Sequence, residues 1–301
     1  MENRREFLFF YDVSWANPNG DPMDENKPRI DEETRINIVT DTRLKRTIRD
    51  QLSEMGYEIF VREERDEKGK LKDRKKILEE HYSNDYEKVL EKCIDIRLFG
   101  GTFAIEGAKG NFTGPVQFKF GHSLHKVKVE LIKGTTVMPS GEGREQGTMT
   151  EVWVVPYSFI VFYGIANEKA AKDTKLKDED IDVMLKALWL GHKASTDVIS
   201  RSKFGHEPRL LIEIIYKEKT LTHIGELNKL VKIDTQKREE ELRDVEEFVL
   251  NLERLKERIQ KYKDKIEKVR FVKDDRLKVN PSLEEVFNGI TLERFPWAKE
   301  V

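Results

Sequence analysis

The apolar positions of this chain fall into runs, alternations and helical repeats that divide it into elements. Residues 7–15, FLFFYDVSW, form an almost unbroken apolar and aromatic run that predicts a strand. The dense turn Asn17-Pro18-Asn19-Gly20-Asp21-Pro22 follows, where Asn and Gly permit positive φ and the prolines fix it. Leu44, Ile48, Leu52 and Met55 then recur at helical spacing, with Thr40 as an N-cap and Asp41 in the first turn, predicting a helix over 41–55. Residues 57–61 alternate as a second strand, and the charged stretch 62–76 has a loop tip at Asp66-Glu67-Lys68-Gly69. Tyr82, Tyr86, Val89, Leu90 and Ile94 make 77–98 helical, so a helical subdomain is expected to project from the core. Residues 115–132 alternate as strand or hairpin, and 152–166 is rich in Val, Ile, Phe and Tyr, the composition of a buried strand. A helix over 180–195, a strand over 210–216 and a short closing helix over 281–289 complete the pattern. Between these last two, 234–269 reads as one highly charged helix, with Leu242, Val245, Val249, Leu252, Ile259, Tyr262, Ile266 and Val269 spaced by 3, 4 and 7.

Strand 7–15, helix 41–55, strand 57–61, strand 152–166, helix 180–195 and strand 210–216 give the order β-α-β-β-α-β. That order predicts an α+β, ferredoxin-like split βαβ fold, of which the RNA-recognition module is one version. The aromatic RNA-binding signature of that module is absent, so the sheet face is a poor candidate for stacking bases.

Composition narrows the functional classes. Charged residues make up 37% of the 301 positions, but net charge is only −2, so a nucleic-acid surface must be a local basic stripe beside acidic faces. One cysteine, Cys93, excludes an internal disulfide and favours a cytoplasmic location. The opening residues carry no signal-peptide apolar region, and no apolar run approaches a membrane span.

The strongest candidate stripe is the first helix, where 40–49 holds Arg43, Lys45, Arg46 and Arg49 against the single acid Asp41. A solvated helix face and a polyanion-binding helix both fit such a run. Thr40, Thr42, Asn17 and Asn19 add hydroxyls and amides able to bond phosphate or sugar. Lys119, Lys126, Lys128 and Lys133 give a second basic segment, and Arg201 and Lys203 flank Ser202 in a loop that either grips phosphate or is simply exposed. No GxxxxGK[ST] occurs; His122 and His125 lack the Cys pair or HExxH of a zinc site; Asp21, Asp24 and Asp31 are the carboxylates able to hold magnesium.

NPNGDP after the first strand, PRID, TDTRLKRTIRD, IRLFGG at 96–101, GPVQFKFGHS at 114–123, QGTM at 146–149 and VPYSFIVFYGIAN at 155–167 resemble, in the same order, the backbone subunit of type I CRISPR interference complexes (Cascade), nearest to its subtype I-B form. The resemblance covers roughly the first 215 residues. It implies a palm formed by 1–61 and 152–217, a helical insertion (fingers) over 62–114, and a strand hairpin and thumb loop over 115–151; the tail beyond it, 218–301, is expected from its own apolar spacing to be a helical C-terminal extension. It also implies a non-catalytic scaffold, without cofactor or metal, that polymerises along guide RNA. Its partners would be that RNA, neighbouring copies, the other Cascade subunits and target DNA through the RNA–DNA hybrid, with no membrane. The implied RNA contacts are Asn17, Asn19, Thr40, Thr42, Arg43, Lys45, Arg46, Arg49, Gln117, Lys119, Arg201 and Lys203, with Met138, or else Met149, as the thumb tip that wedges between nucleotides. Two other activities are compatible with these residues: a metal-dependent endoribonuclease like the type III backbone subunit, using the aspartates, and a generic single-stranded RNA-binding protein.

Overall fold

Arg5–Ala16 (β1) is buried on both of its faces, which is why its sequence is an apolar run rather than an alternation. Successive side chains point to opposite sides of a strand. Phe7, Phe9, Tyr11 and Val13 therefore enter one hydrophobic cluster, and Leu8 and Phe10 enter another. The polar residues on the second side are paired: Glu6 accepts from the Tyr163 and Tyr216 hydroxyls, and Asp12 accepts from Tyr157 Oη at 2.9 Å and Arg209 Nε at 3.0 Å. Burial of the Asp12 carboxyl raises its pKa to about 6, against the pull of Arg209.

The computed structural model describes residues 1–102, 111–135, 149–195, 199–200 and 203–300. After β1, the ribbon of β2 (Gly20–Asp21) and β3 (Lys27–Pro28) leads through β4 (Ile36–Val39) into α1 (Asp41–Glu54). The insertion carries α2 (Arg74–Tyr82), α3 (Tyr86–Lys92) and α4 (Ile94–Phe99), then β5 (Gly100–Thr102) paired with β6 (Asn111–Thr113). β7 (Val116–Phe118), β8 (Gly121–Lys126), β9 (Glu130–Thr135) and the long β10 (Met149–Ala166) follow. Then come α5 (Glu168–Thr174), α6 (Asp178–Gly191) and β11 (His206–Tyr216). The remainder contains β12 (Lys232–Asp234), β13 (Val249–Asn251), α7 (Glu253–Tyr262), β14 (Ile266–Lys273), β15 (Val279–Asn280), α8 (Leu283–Val286) and β16 (Thr291–Arg294).

The main sheet is mixed, in the order β16-β14-β11-β1-β10-β8-β4, with β7 and β9 also paired to β10. Its centre, β11-β1-β10-β8, is antiparallel throughout and has the strand order of a split βαβ unit. The second-strand position is held by β8 together with β7, not by residues 57–61, which form no strand. Those residues need no ladder, because the Phe60 and Val61 amides donate to the Asp95 carboxylate at 2.9 and 3.1 Å. Leu44, Ile48 and Leu52 of α1 pack with Ile181, Met184, Leu185 and Leu188 of α6 on one sheet face.

The other face is covered by the C-terminal part of the chain. Here the single helix expected over 234–269 gives way to 3-10 turns, β13, α7 and β14. Leu242, Val245, Phe248, Leu250 and Leu252 are all buried against the sheet, and Val269 and Phe271 lie within it as β14 pairs β11. Apolar burial and backbone pairing thus override the helical propensity of a Glu/Lys/Arg-rich stretch. The helix expected over 77–98 is likewise split: Ser83 and Asn84 adopt φ of 55° and 57°, and Asp85 caps α3. A third hydrophobic cluster, including Phe60, Ile77, Tyr82, Leu90 and Cys93, holds this insertion together.

Candidate nucleic-acid interface

The turn after β1 is built to fasten the start of α1. Asn19 Oδ1 accepts from both the Thr40 amide (2.9 Å) and the Thr40 hydroxyl (3.0 Å), and Thr40 Oγ1 accepts from the Arg43 amide at 3.2 Å. Asn19 is thus a clamp on the N-cap. Asn17 is buried, and its Nδ2 donates inside the turn to the Asn26 carbonyl at 2.6 Å, so this group is turned inward rather than offered to solvent. Asp21 accepts from Arg29 Nη1 at 2.7 Å and from the Met23 amide at 3.0 Å, which draws Arg29 alongside α1.

A cleft of ≈ 680 Å³ runs along this assembly. Its lining holds six cations, Arg29, Arg43, Arg46, Arg49, Arg62 and Lys203, against two acids, Asp50 and Glu63, with Asn19, Thr40 and Thr42 among the polar positions. The cations come from four separate segments. The cations of α1, including Lys45 outside this cleft, are more fully offset than its sequence predicts: Lys45 bonds Asp41 at 3.0 Å, Arg46 bonds Asp50 at 2.8 Å, and Arg49 bonds the fully buried Asp95 at 3.0 Å. Two of these acids lie beyond the 40–49 window, which is why the local count overstated the free charge.

On the other side of α1 a smaller cleft of ≈ 270 Å³ is lined by Asp41, Thr42, Lys45, Arg49, Gly100 and Gly101, among others. Thr42 and Arg49 border both clefts, so α1 forms the rib between them. Lys45 Nζ lies 5.7 Å and the Arg49 guanidinium 5.0 Å from the centre of the Phe99 ring, and Lys45 Nζ donates to Gln117 Oε1 at 3.4 Å. This corner depends on glycine. At Gly100 (φ +72°) a Cβ would come within 2.2 Å of the Phe112 carbonyl oxygen, and at Gly114 within 2.1 Å of the Phe99 carbonyl carbon. The glycines of IRLFGG and GPVQF therefore let two backbone segments, the paired β5 and β6 and their flanks, come into close contact.

The family model described as CRISPR-associated protein Cas7 matches residues 3–253. The chain belongs to the Cas7 family. A Haloferax volcanii protein described as CRISPR-associated protein Cas7 is 32% identical over 309 residues, spanning 92% of this chain and 89% of that protein. One chain of a solved "CRISPR RNA-guided surveillance complex, pre-nicking" has the same fold at a TM-score of 0.60 and 11% identity, over 95% of this chain and 98% of that one. A chain of another "CRISPR RNA-guided surveillance complex" aligns at a TM-score of 0.58 and 13% identity, over 97% and 94%.

In this family member the expected site residues are only partly gathered. Asn19, Thr40, Thr42, Arg43, Arg46, Arg49 and Lys203 share the larger cleft, and Lys45 and Gln117 meet beside the smaller one. Lys119 stands apart, exposed, with its ammonium 3.6 Å from Glu226. Met138 and Arg201 lie outside the described residues, as does 136–148 of the expected thumb loop; 134–135 and 149–150 belong to the paired strands β9 and β10. Arg29 and Arg62 were not among the expected contacts. Arg29 carried a signal in the PRID segment; Arg62, in a charged run, carried none. Among the described residues no helix is long and apolar enough to cross a membrane.

The expected carboxylate cluster Asp21, Asp24 and Asp31 does not converge. Among the described residues, the group with ligand atoms within 4.8 Å of one another is Glu64, Glu80 and His81. Lys72 Nζ already bonds Glu64 at 2.8 Å and Glu80 at 2.5 Å there. His125 is an interior acceptor, its Nε2 taking the Phe159 amide at 3.1 Å, and burial holds its pKa below the ordinary value. His122 Nε2 lies 3.0 Å from Asn228 Nδ2.

Proposed function

We propose that this Cas7-family chain is a structural subunit that binds guide RNA in a Cascade-type CRISPR surveillance complex serving antiviral defence. The observation that carries the reading is the larger cleft, where six cations from four segments face two acids on a molecule of net charge −2. A concave cationic track suits a sugar–phosphate backbone and leaves the bases free to pair with target DNA. In this reading α1 is the rib over which the RNA backbone runs, with Thr42 as a hydroxyl donor, Thr40 as the cap that fixes the helix start, and Arg43, Arg46 and Lys203 as phosphate partners. Residues 1–61 and 152–217 act as the palm, 62–114 as fingers, and 115–151 as hairpin and thumb, with Met138 at its tip; 218–301 covers one sheet face and adds β14 and β16 to the sheet edge. Covering of the second sheet face by Leu242, Val245 and Phe248 supports a route over the helix rather than the sheet. Neighbouring copies, other Cascade subunits and target DNA held through the hybrid are the further partners.

The test is the salt dependence of RNA affinity. Each phosphate contact on a single strand contributes about 0.7 to the slope of log K against log salt. Arg46→Ala and Lys203→Ala are each expected to reduce the slope by about that amount. Unchanged slopes in both variants would remove the cleft from consideration. Cleavage of RNA at regular intervals with magnesium, lost on changing Asp21 or Asp31, would favour the endoribonuclease reading instead.

A further inference from the structure

Large aromatic side chains are costly to leave in water, yet two stand exposed on segments that lead into the wall of the cationic cleft. Trp15 is 52% and Phe204 72% accessible. Each is tied by sequence to the cleft wall: Phe204 follows Lys203, which lines it, and Trp15 precedes the turn whose Asn19, Gly20 and Pro22 line it. Across the sheet the two segments meet. Val13 pairs His206 in register, and the Ser14 amide donates to the Gly205 carbonyl at 2.9 Å, so Trp15 and Phe204 are the next residues on the two facing segments.

The backbone at Trp15 is unusual as well. Ser14 pairs Tyr157 and Ala16 pairs Val155, but Trp15, opposite Pro156, takes no part in the ladder and adopts φ of 51°. That region is unfavourable for a bulky side chain and persists only where the surrounding structure imposes it. Burying the indole does not account for it, because the ring is half exposed. Gly205 completes the arrangement: at its φ of +123° a Cβ would lie 2.2 Å from the Ser14 carbonyl oxygen, so the residues next to Phe204 and Trp15 are in close backbone contact.

We infer that Trp15 and Phe204 form a stacking platform for unpaired nucleobases of a single strand whose phosphates lie in the adjoining cationic cleft. This rests on the RNA-binding reading above and adds a base-contacting element to it. Charge complementarity selects the occupant, because the segments that carry the two aromatic residues also supply Asn19, Gly20, Pro22 and Lys203 to a wall holding six cations, the pairing of features that single strands use. A duplex does not fit, since its bases are stacked on one another and present no free face. The platform is tolerant of sequence, as every base has a π-face.

The experiment compares a single-stranded oligouridine with an abasic strand of equal phosphate number, bound by the full chain and followed by anisotropy across salt. Trp15→Ala and Phe204→Ala are each expected to weaken binding of the base-bearing strand about 5- to 100-fold. Their salt slopes and their affinity for the abasic strand stay at the wild-type values, and Trp15→Phe and Phe204→Tyr retain most of the affinity. Equal loss on both strands, the signature of a folding defect, overturns the platform; so does no loss on either. Weakened self-association without RNA, with RNA affinity intact, would assign the patch to contact between copies and also overturn it. If the wild type binds with a steep salt slope and only the aromatic variants fail to respond, the platform alone falls. Absence of salt-dependent binding by the wild type would remove the RNA-binding reading together with it.

Discussion

Asp95 shows how a single residue supports the cleft without facing it. Its carboxylate is fully buried and accepts from Arg49 Nε and from the amides of Phe60 and Val61. Asp95→Ala leaves a largely buried guanidinium and two amides without this partner, and such losses cost about 3–5 kcal/mol. A fall of that size in chemical-denaturation stability is expected. Arg46 is the contrast: its pair with Asp50 is more than half exposed on the arginine side, and exposed pairs contribute about 0–1 kcal/mol. Arg46→Ala therefore reports binding almost free of stability effects, whereas Arg49→Ala confounds the two. At Gly114 an added methyl meets backbone rather than a flexible side chain, so Gly114→Ala is expected to destabilise by about 3 kcal/mol. Unchanged thermal unfolding would contradict the close approach to Phe99.

Among the elements, the 62–82 segment is held by charge as much as by its apolar cluster. Glu64 is joined to Lys72, to His81 at 2.8 Å and to Arg62 at 2.9 Å, and these bonds, with Lys72 first, lower its pKa from 4.5 to about 2. A carboxyl whose folded pKa is depressed stabilises fully above its unfolded value and loses that contribution as pH falls through the folded one. The Glu64 ties are therefore complete above pH 4.5 and lost as pH falls towards about 2. Because these groups are partly exposed, solvent weakens the effect. Amide exchange in 62–82 is expected to accelerate over that window, and Glu64→Gln should flatten the pH dependence. An identical profile in the variant would show that other carboxylates govern it.

For the whole molecule, net charge of −2 means little long-range attraction for RNA despite the cationic cleft. Single-site affinity is therefore expected to be modest, with contacts between adjacent copies adding to it on a longer strand. Light scattering during titration with RNAs of increasing length should show weak binding to short oligonucleotides and all-or-none loading at guide length. Affinity per subunit that is independent of length, with particles remaining monomeric, would refute cooperative assembly.

Elements whose pattern is local were legible in the sequence. The run beginning at Phe7, the Thr40 cap with Leu44, Ile48 and Leu52, and the β-branched stretch of β10 each express a period or capping preference set by neighbouring residues, and each became the expected strand or helix within a few positions. The close approach at Gly100 and Gly114 was not read from the sequence, because which backbone a glycine meets is decided by the fold. Nor was pairing over distance. Residues 57–61 alternate like a strand, but Asp95, far along the chain, satisfies the amides of Phe60 and Val61 and removes the need for a ladder. The stretch 234–269 has helical spacing, but a free edge at β11 and an uncovered sheet face turned it into turns, a short helix and a strand. The cleft was half legible. The cations of α1 were visible as a run, but Arg29, Arg62 and Lys203 reach it from other segments, and Asp50 and Asp95 temper it. Periodicity acts between near neighbours, whereas charge balance and backbone satisfaction are settled by whatever the fold brings alongside.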